Sequence, residues 1–250
     1  MIESLPLLIT AAFGAGVLNT IAGGGTFLTF PALVFAGIPP VAANATSTVS
    51  VFPGYLSGAL AYRRELAGFP RREFARLLGL TLVGGLAGSL LLLVSSDEAF
   101  SAVVPFLLLA ATLAFLFGDR IRDWAARHRG GIAPQGAVGL LLVSVYGGYF
   151  NGGLGIVLLA LFALWGMTDI HRMNGLKTAA SFALSAISVA TFAIAGLVHW
   201  PEAIAMMLAN TVGGYAGAPI ARALPPPVVR AVIAAVGFGM SAIFFLRLLQ

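Results

Sequence analysis

Residues 19–31 read NTIAGGGTFLTFP and place Asn19, Thr20, Gly23, Gly24, Gly25 and Thr26 inside a run with no charge at all. Each glycine weakens a helix interior by roughly 1 kcal/mol relative to alanine, so three in succession mark a break in a membrane helix. A helix that restarts inside the membrane directs unpaired N–H groups and the positive end of its dipole into the interior, and such N-termini bind anions. A second break, NGGLG, spans residues 151–155 and supplies Asn151, Gly152, Gly153 and Gly155. Broken helices in corresponding halves of a chain point to a transporter's binding site. The alternative use of these glycines is tight packing or a sharp bend.

The polar side chains near the breaks favour an anion over a cation. All nine acidic residues fall at the ends of apolar runs or between them. No carboxylate is therefore expected at membrane depth to coordinate a metal ion or relay a proton. What the apolar runs contain is neutral donors: Asn44, Thr46, Ser47 and Thr48 in the first half, Asn174, Thr178, Asn210 and Thr211 in the second. Lys177, three residues after Asn174, is the candidate intramembrane cation, and its counterpart in the first half is Ser47. The simpler roles are a lysine that snorkels to the interface and asparagines that tie helices together.

Other chemistry has little support. His128, His171 and His199 lack ligand spacing, cysteine is absent, and neither glycine motif fits a phosphate-loop or dinucleotide fingerprint. No nucleophile triad or carboxylate pair is visible, so neither an enzyme nor a cofactor or metal is expected.

The elements that must position these residues follow from composition. The 250 residues are 59% hydrophobic and 9% charged, with mean hydropathy +0.98, against about 25% charged in a soluble domain. The chain reads as all-helical and multi-pass. A pI near 10.2 comes from short basic clusters between apolar runs, which is topology signalling rather than nucleic-acid binding. Trp124, Trp165, Trp200, Tyr62 and Tyr146 fit an aromatic belt. No basic segment precedes the first apolar run, so it does not read as a cleaved signal peptide.

Residues 4–62 carry no charge; as helix they would reach about 88 Å, against a hydrocarbon core of about 30 Å. They divide into three pieces at the glycine triplet and at GIPP, residues 37–40. The piece at residues 26–36 is about 17 Å long, half a bilayer, and is tolerated only where it is buried or lines a cavity. Further runs lie at 77–94, 99–118, 130–168 (broken by NGGLG), 173–198, 203–221 and 231–246.

The second half repeats the first. At an offset of 130, Gly23, Gly25, Leu28, Asn44, Thr48 and Phe52 meet Gly153, Gly155, Leu158, Asn174, Thr178 and Phe182, and at 129 GGLAGS (84–89) meets GGYAGA (213–218). If each break returns the chain to its side of origin, the halves are inverted, and 13 of the 14 Lys and Arg residues are cytoplasmic. Four-crossing, parallel halves leave only 10 there. The positive-inside rule favours inversion. The expected organisation is a first repeat at 1–118, a basic cytoplasmic linker at 119–133 and a second repeat at 134–250. Each repeat is a broken or re-entrant hairpin plus three transmembrane helices. GGLAGS and GGYAGA are small-residue faces for close helix contact within a protomer, or between protomers of a homo-oligomer.

Residues 14–66, GAGVLNTIAGGGTFLTFPALVFAGIPPVAANATSTVSVFPGYLSGALAYRREL, resemble the opening of the TauE/SafE family of sulfite-exporter or toluene-sulfonate-uptake permeases. The second half follows the same plan with NGGLG and MNGLKT, though without a glycine triplet. The resemblance implies secondary transport of small sulfur-containing anions, sulfite or organosulfonates such as sulfoacetate, across the bacterial inner membrane. The expected mechanism is alternating access, with the anion held at half-helix N-termini and ion coupling absent or carried by the substrate's own proton. An anion-selective pore or a non-transporting assembly subunit are the rivals. The expected lining is Asn19, Gly23, Gly24, Gly25, Thr26, Asn44, Thr46, Ser47, Thr48, Asn151, Gly152, Gly153, Gly155, Asn174, Lys177 and Thr178; the partners are the anion and membrane lipid.

Overall fold

A computed structural model describes residues 4–21, 25–127, 136–223 and 226–248. Within them the chain forms twelve α-helices and no strand: α1 (Leu5–Ile21), α2 (Thr26–Phe35), α3 (Pro40–Ala61), α4 (Arg63–Ala67), α5 (Arg71–Val94), α6 (Asp97–Leu116), α7 (Gly118–Arg127), α8 (Ala137–Tyr149), α9 (Leu154–Leu164), α10 (Ile170–Ile194), α11 (Trp200–Ala223) and α12 (Pro226–Leu248). Three of the described segments are long and apolar enough to cross a bilayer: Arg71–Val94, Asp97–Ala114 and Ile170–Ile194. Large apolar side chains such as Val83, Leu142 and Leu208 are 61%, 65% and 66% exposed. An outer surface of that kind requires lipid, not water. This is a membrane protein.

The expected half-helix at 26–36 is α2, ten residues long, and its counterpart α9 has eleven. Both stop in the same way. Gly37 and Gly166 adopt φ of 86° and 84°, and the next residue bonds back to the last turn. Ile38 N donates to the Leu33 carbonyl at 3.1 Å, and Met167 N to that of Phe162 at 3.1 Å. These are Schellman ends, which satisfy orphan carbonyls where no water is available. After Gly37, Pro39 and Pro40 open α3, Pro40 taking the first helical position where a missing N–H costs nothing. GIPP is therefore a helix stop followed by a helix start.

The principal packing contacts recur when each helix is exchanged for its counterpart in the other half. Helix α1 packs on α11 as α8 does on α5, α3 on α11 as α10 on α5, and α1 on α2 as α8 on α9. The exchanged pairs α3/α10 and α6/α12 pack on each other. Phe52 of α3 stacks on its own counterpart, Phe182 of α10, with centroids 5.2 Å apart. The small-residue faces serve these intrachain contacts: Gly88 and Gly148 close the α5/α8 crossing, and Gly16 and Gly213 that of α1 and α11, each meeting backbone of the facing helix. Around α2, Phe30 stacks on Phe244 and meets Phe100 and Phe150 edge-on, so the half-helix packs into an aromatic core.

Two features go beyond the sequence expectation. Within the basic stretch 119–133, α7 is a helix packed against α9. Its sequence GDRIRDWAAR alternates apolar and charged residues at helical spacing, and Trp124 is exposed, as in a helix lying along a membrane surface. Residues 128–135 are outside the description. Tyr146, assigned by sequence to an aromatic belt, instead donates its hydroxyl to the Gly152 carbonyl at the second break.

A Cβ at Gly37 would meet nothing within 4 Å, so Gly37→Ala isolates the cost of left-handed backbone. It should destabilise the protein by roughly 1–2 kcal/mol, seen as a lower thermal midpoint in detergent. Gly79→Ala, equally unobstructed but inside α5, should instead stabilise by about 0.5–1 kcal/mol.

Candidate functional site

A cavity of about 660 Å³ lies between α1, α3, α9, α10 and α11. Its polar lining includes Asn19, Tyr55, Asn174, Lys177, Thr178, Ser181, Asn210 and Thr211, with Gly16, Gly54, Gly58, Gly155 and Gly214 giving access to backbone. Lys177 is the sole charged residue in that wall, and no carboxylate lines it among the described residues.

Lys177 enters from the second turn of α10. That helix is begun by Asp169, whose carboxylate accepts from the backbone N–H groups of His171 and Arg172 at 2.9 and 3.2 Å. The lysine is half-buried. Its aliphatic stem crosses Gly155, where a Cβ would stand 3.2 Å from the lysine Cδ. Gly155 belongs to the first turn of α9, where Leu154 N and Ile156 N bond back to the Asn151 and Gly153 carbonyls at 3.5 and 3.0 Å, leaving the Gly155 amide as the one at this helix start that lies beside the cavity. Gly153, with φ of 72°, turns the chain sharply into that helix. The ammonium stem and the positive end of a half-helix thus share one wall, a pairing suited to negative charge.

The first break reaches the same cavity through Asn19. Its Oδ1 accepts from Gly25 N at 2.8 Å, closing one orphan amide of the α2 start, while its Nδ2 is enclosed with no partner. Across the cavity Asn210, 2% exposed, also has an Nδ2 without a partner among the described residues. Buried donors are nearly always satisfied, and these two stand unpaired on residues that border the same cavity.

Of the residues expected from sequence, the cavity wall brings together Asn19, Gly155, Asn174, Lys177 and Thr178. Others lie behind it. Asn151 accepts from the Tyr55 hydroxyl at 3.4 Å and donates to Ser185 at 3.5 Å, linking the second break to the wall. Gly25 bonds Asn19 as described. Asn44 donates to the Tyr149 carbonyl at 2.9 Å, Thr48 to that of Asn44 at 2.9 Å, and Ser47 shares a 2.6 Å bond with Thr29. Thr46 accepts from His199 N at 3.1 Å. Thr26, Gly152 and Gly153 are buried at the helix starts, and Gly23 and Gly24 lie outside the described residues. Tyr55, Ser181 and Tyr215 join the wall without a sequence signal, and Asn210 and Thr211 join it from outside the expected lining. Asn210 and Thr211 are legible as intramembrane donors, but only the α1/α11 crossing carries them to the breaks.

An all-helical membrane body enclosing a cationic, donor-lined cavity at a broken helix belongs to the class of membrane transporters. The family model described as Sulfite exporter TauE/SafE matches residues 8–244, and the chain belongs to that family. It is similar to a probable membrane transporter protein of Haemophilus influenzae, 28% identical over 96% of this chain and 94% of the relative. Similar too are the probable membrane transporter protein ORF9 of a Sinorhizobium species, 27% identical over 95% and 90%, and the probable membrane transporter protein YfcA of Escherichia coli K12, 27% identical over 95% and 88%. No solved structure matches the chain significantly.

Asn19→Ala removes the acceptor for Gly25 N and should cost about 1–3 kcal/mol of stability for the stranded amide. Asn19→Asp keeps that acceptor and should hold the thermal midpoint near wild type while weakening anion binding. Thermal scans beside an anion-binding titration separate the two effects.

Proposed function

We propose that the protein is a secondary carrier of small sulfur-containing anions in the bacterial inner membrane, sulfite or an organosulfonate such as sulfoacetate. The observation that carries this reading is Lys177, alone as a charge in a cavity of neutral donors and laid across the start of the half-helix α9. A trigonal or tetrahedral oxyanion would place its oxygens toward the ammonium and the Gly155 amide at the start of α9, with the unpaired amide groups of Asn19 and Asn210 beside it. Asn174 and Thr178, on the Lys177 face of α10, complete the first contact layer. Gly25, Asn151 and Gly153 would hold the breaks in shape from behind.

The two halves, 1–118 and 134–250, act in this reading as inverted repeats joined by the basic segment 119–133. Support comes from the charge asymmetry of the loops and from the helix contacts that recur on exchange of the halves. Rocking of one repeat against the other about the α3/α10 contact would open the cavity to each side in turn. The cavity wall offers no carboxylate for a sodium ion, so coupling is assigned to the substrate's own proton or is absent.

The test is uptake of labelled sulfite into proteoliposomes under anaerobic conditions, with and without unlabelled sulfite inside. A carrier gives saturable uptake accelerated by internal anion. Lys177→Ala should lower kcat/KM at least about thirtyfold, the lower end of the roughly 2–5 kcal/mol that losing one partner of a buried charge pair costs. Non-saturating flux without counterflow would identify a pore instead. Uptake of sulfoacetate but not sulfite would keep the carrier and change the substrate. A steep dependence on sodium at fixed pH and voltage would overturn the coupling assignment.

A further inference from the structure

A second cavity, of about 360 Å³, lies where α5 and α10 begin. This volume is at the low end of the roughly 300–1,000 Å³ of ligand pockets. Its wall changes character along the helix axes. Toward the interior it is apolar, with Leu77, Leu80, Leu140 and Leu176; at the helix starts it carries the guanidinium groups of Arg76 and Arg172 and one carboxylate, Glu73. Both arginines are exposed. The Arg172 guanidinium sits over the Phe69 ring at 4.4 Å, a stacking that holds the cation at the rim without neutralising it. The indole N–H of Trp165, in the same wall, is enclosed and has no hydrogen-bond partner among the described residues.

The same end of the helices is basic beyond the pocket. Helix α4, with Arg63 and Arg64, packs against α10, and Arg71 and Arg72 open α5. Two of the three bilayer-length segments start here, so this is where the hydrocarbon meets the headgroups. An apolar slot that opens into a pair of guanidiniums at that depth matches an acyl chain leading to a phosphate. Trp165, as an interfacial donor, would reach the ester or phosphate oxygens. Basic pockets between membrane helices take anionic headgroups in general.

We propose that this pocket binds one anionic phospholipid of the surrounding bilayer, its phosphate between Arg76 and Arg172 and one chain against Leu77, Leu80 and Leu140. The occupant is a lipid rather than a soluble phosphate because the apolar part of the wall would otherwise face water. The site is separate from the Lys177 cavity. Helix α10 is their shared partition, Leu176 facing the lipid pocket and Lys177 the cavity.

The test uses the full chain with Trp124→Phe and Trp200→Phe, which leaves Trp165 as the one indole, in phosphatidylcholine nanodiscs. Trp165 fluorescence is titrated with brominated-chain phosphatidylglycerol or brominated-chain phosphatidylcholine. Phosphatidylglycerol should quench at a lower mole fraction. Arg76→Gln and Arg172→Gln should each erode that preference by about fivefold, the usual worth of one basic residue at an anionic surface. Arg71→Gln, outside the wall, should leave it in place. Equal quenching by the two lipids in the protein with its arginines intact would overturn the proposal, and that comparison needs no arginine variant to fold. An Arg71→Gln effect as large as that of Arg172→Gln would also overturn it, by making the attraction diffuse. Displacement of the lipid by soluble glycerol phosphate would assign the site to a free anion and likewise reject the lipid.

Discussion

A backbone amide left unpaired in hydrocarbon costs several kcal/mol, and this constraint governs how the protein can hold broken helices at all. Each interruption is sealed by a specific local device. Schellman turns at Gly37 and Gly166 close the ends of α2 and α9. The side chain of Asn19 takes the Gly25 amide, and the Tyr146 hydroxyl takes the Gly152 carbonyl. The half-helices then lie inside protein, α2 among Phe30, Phe100, Phe150 and Phe244. The polar groups left open after this sealing are few, and two of them, on Asn19 and Asn210, border one cavity.

That economy divides the polar residues into two populations. Asn44 and Ser47 bond α8 and α2, Thr46 the connection before α11 and Thr48 its own helix, where a satisfied pair contributes on the order of 1 kcal/mol. Lys177, Asn174 and Thr178 line the cavity, although the Thr178 hydroxyl, like that of Thr48, donates to the carbonyl four residues before it. The two sets occupy counterpart positions on α3 and α10, so similar sequence on the two halves serves unlike ends.

Helix α10 is the element on which the functional features converge. It bears Lys177 toward the large cavity, Phe182 against α3, and Arg172 and Leu176 toward the pocket at the basic end. Positions 172, 176 and 177 project at different angles around the helix because 3.6 residues complete a turn. One rigid rod thereby presents a cation to each of two compartments without bringing them into contact.

The sequence by itself determined the lipid-embedded helical character, the two breaks and the half-length of α2. These follow from local quantities: runs of hydropathy, the poor helix propensity of glycine, and charges that cannot enter hydrocarbon. The resemblance carried by residues 14–66 added the family. Tertiary structure alone decided which donors share a cavity. Asn210 and Thr211 sit near Asn19 only because glycines let α1 and α11 approach closely. Asn44 to Thr48, as polar in sequence as Asn174 to Thr178, turn out to bond within the scaffold. The second pocket was equally invisible, its wall being assembled from residues 69 to 176 across three helices and their connections. Hydrogen-bond partners and cavity walls depend on contacts between residues far apart in the chain, and no local pattern encodes which of several equivalent donors will face the open space.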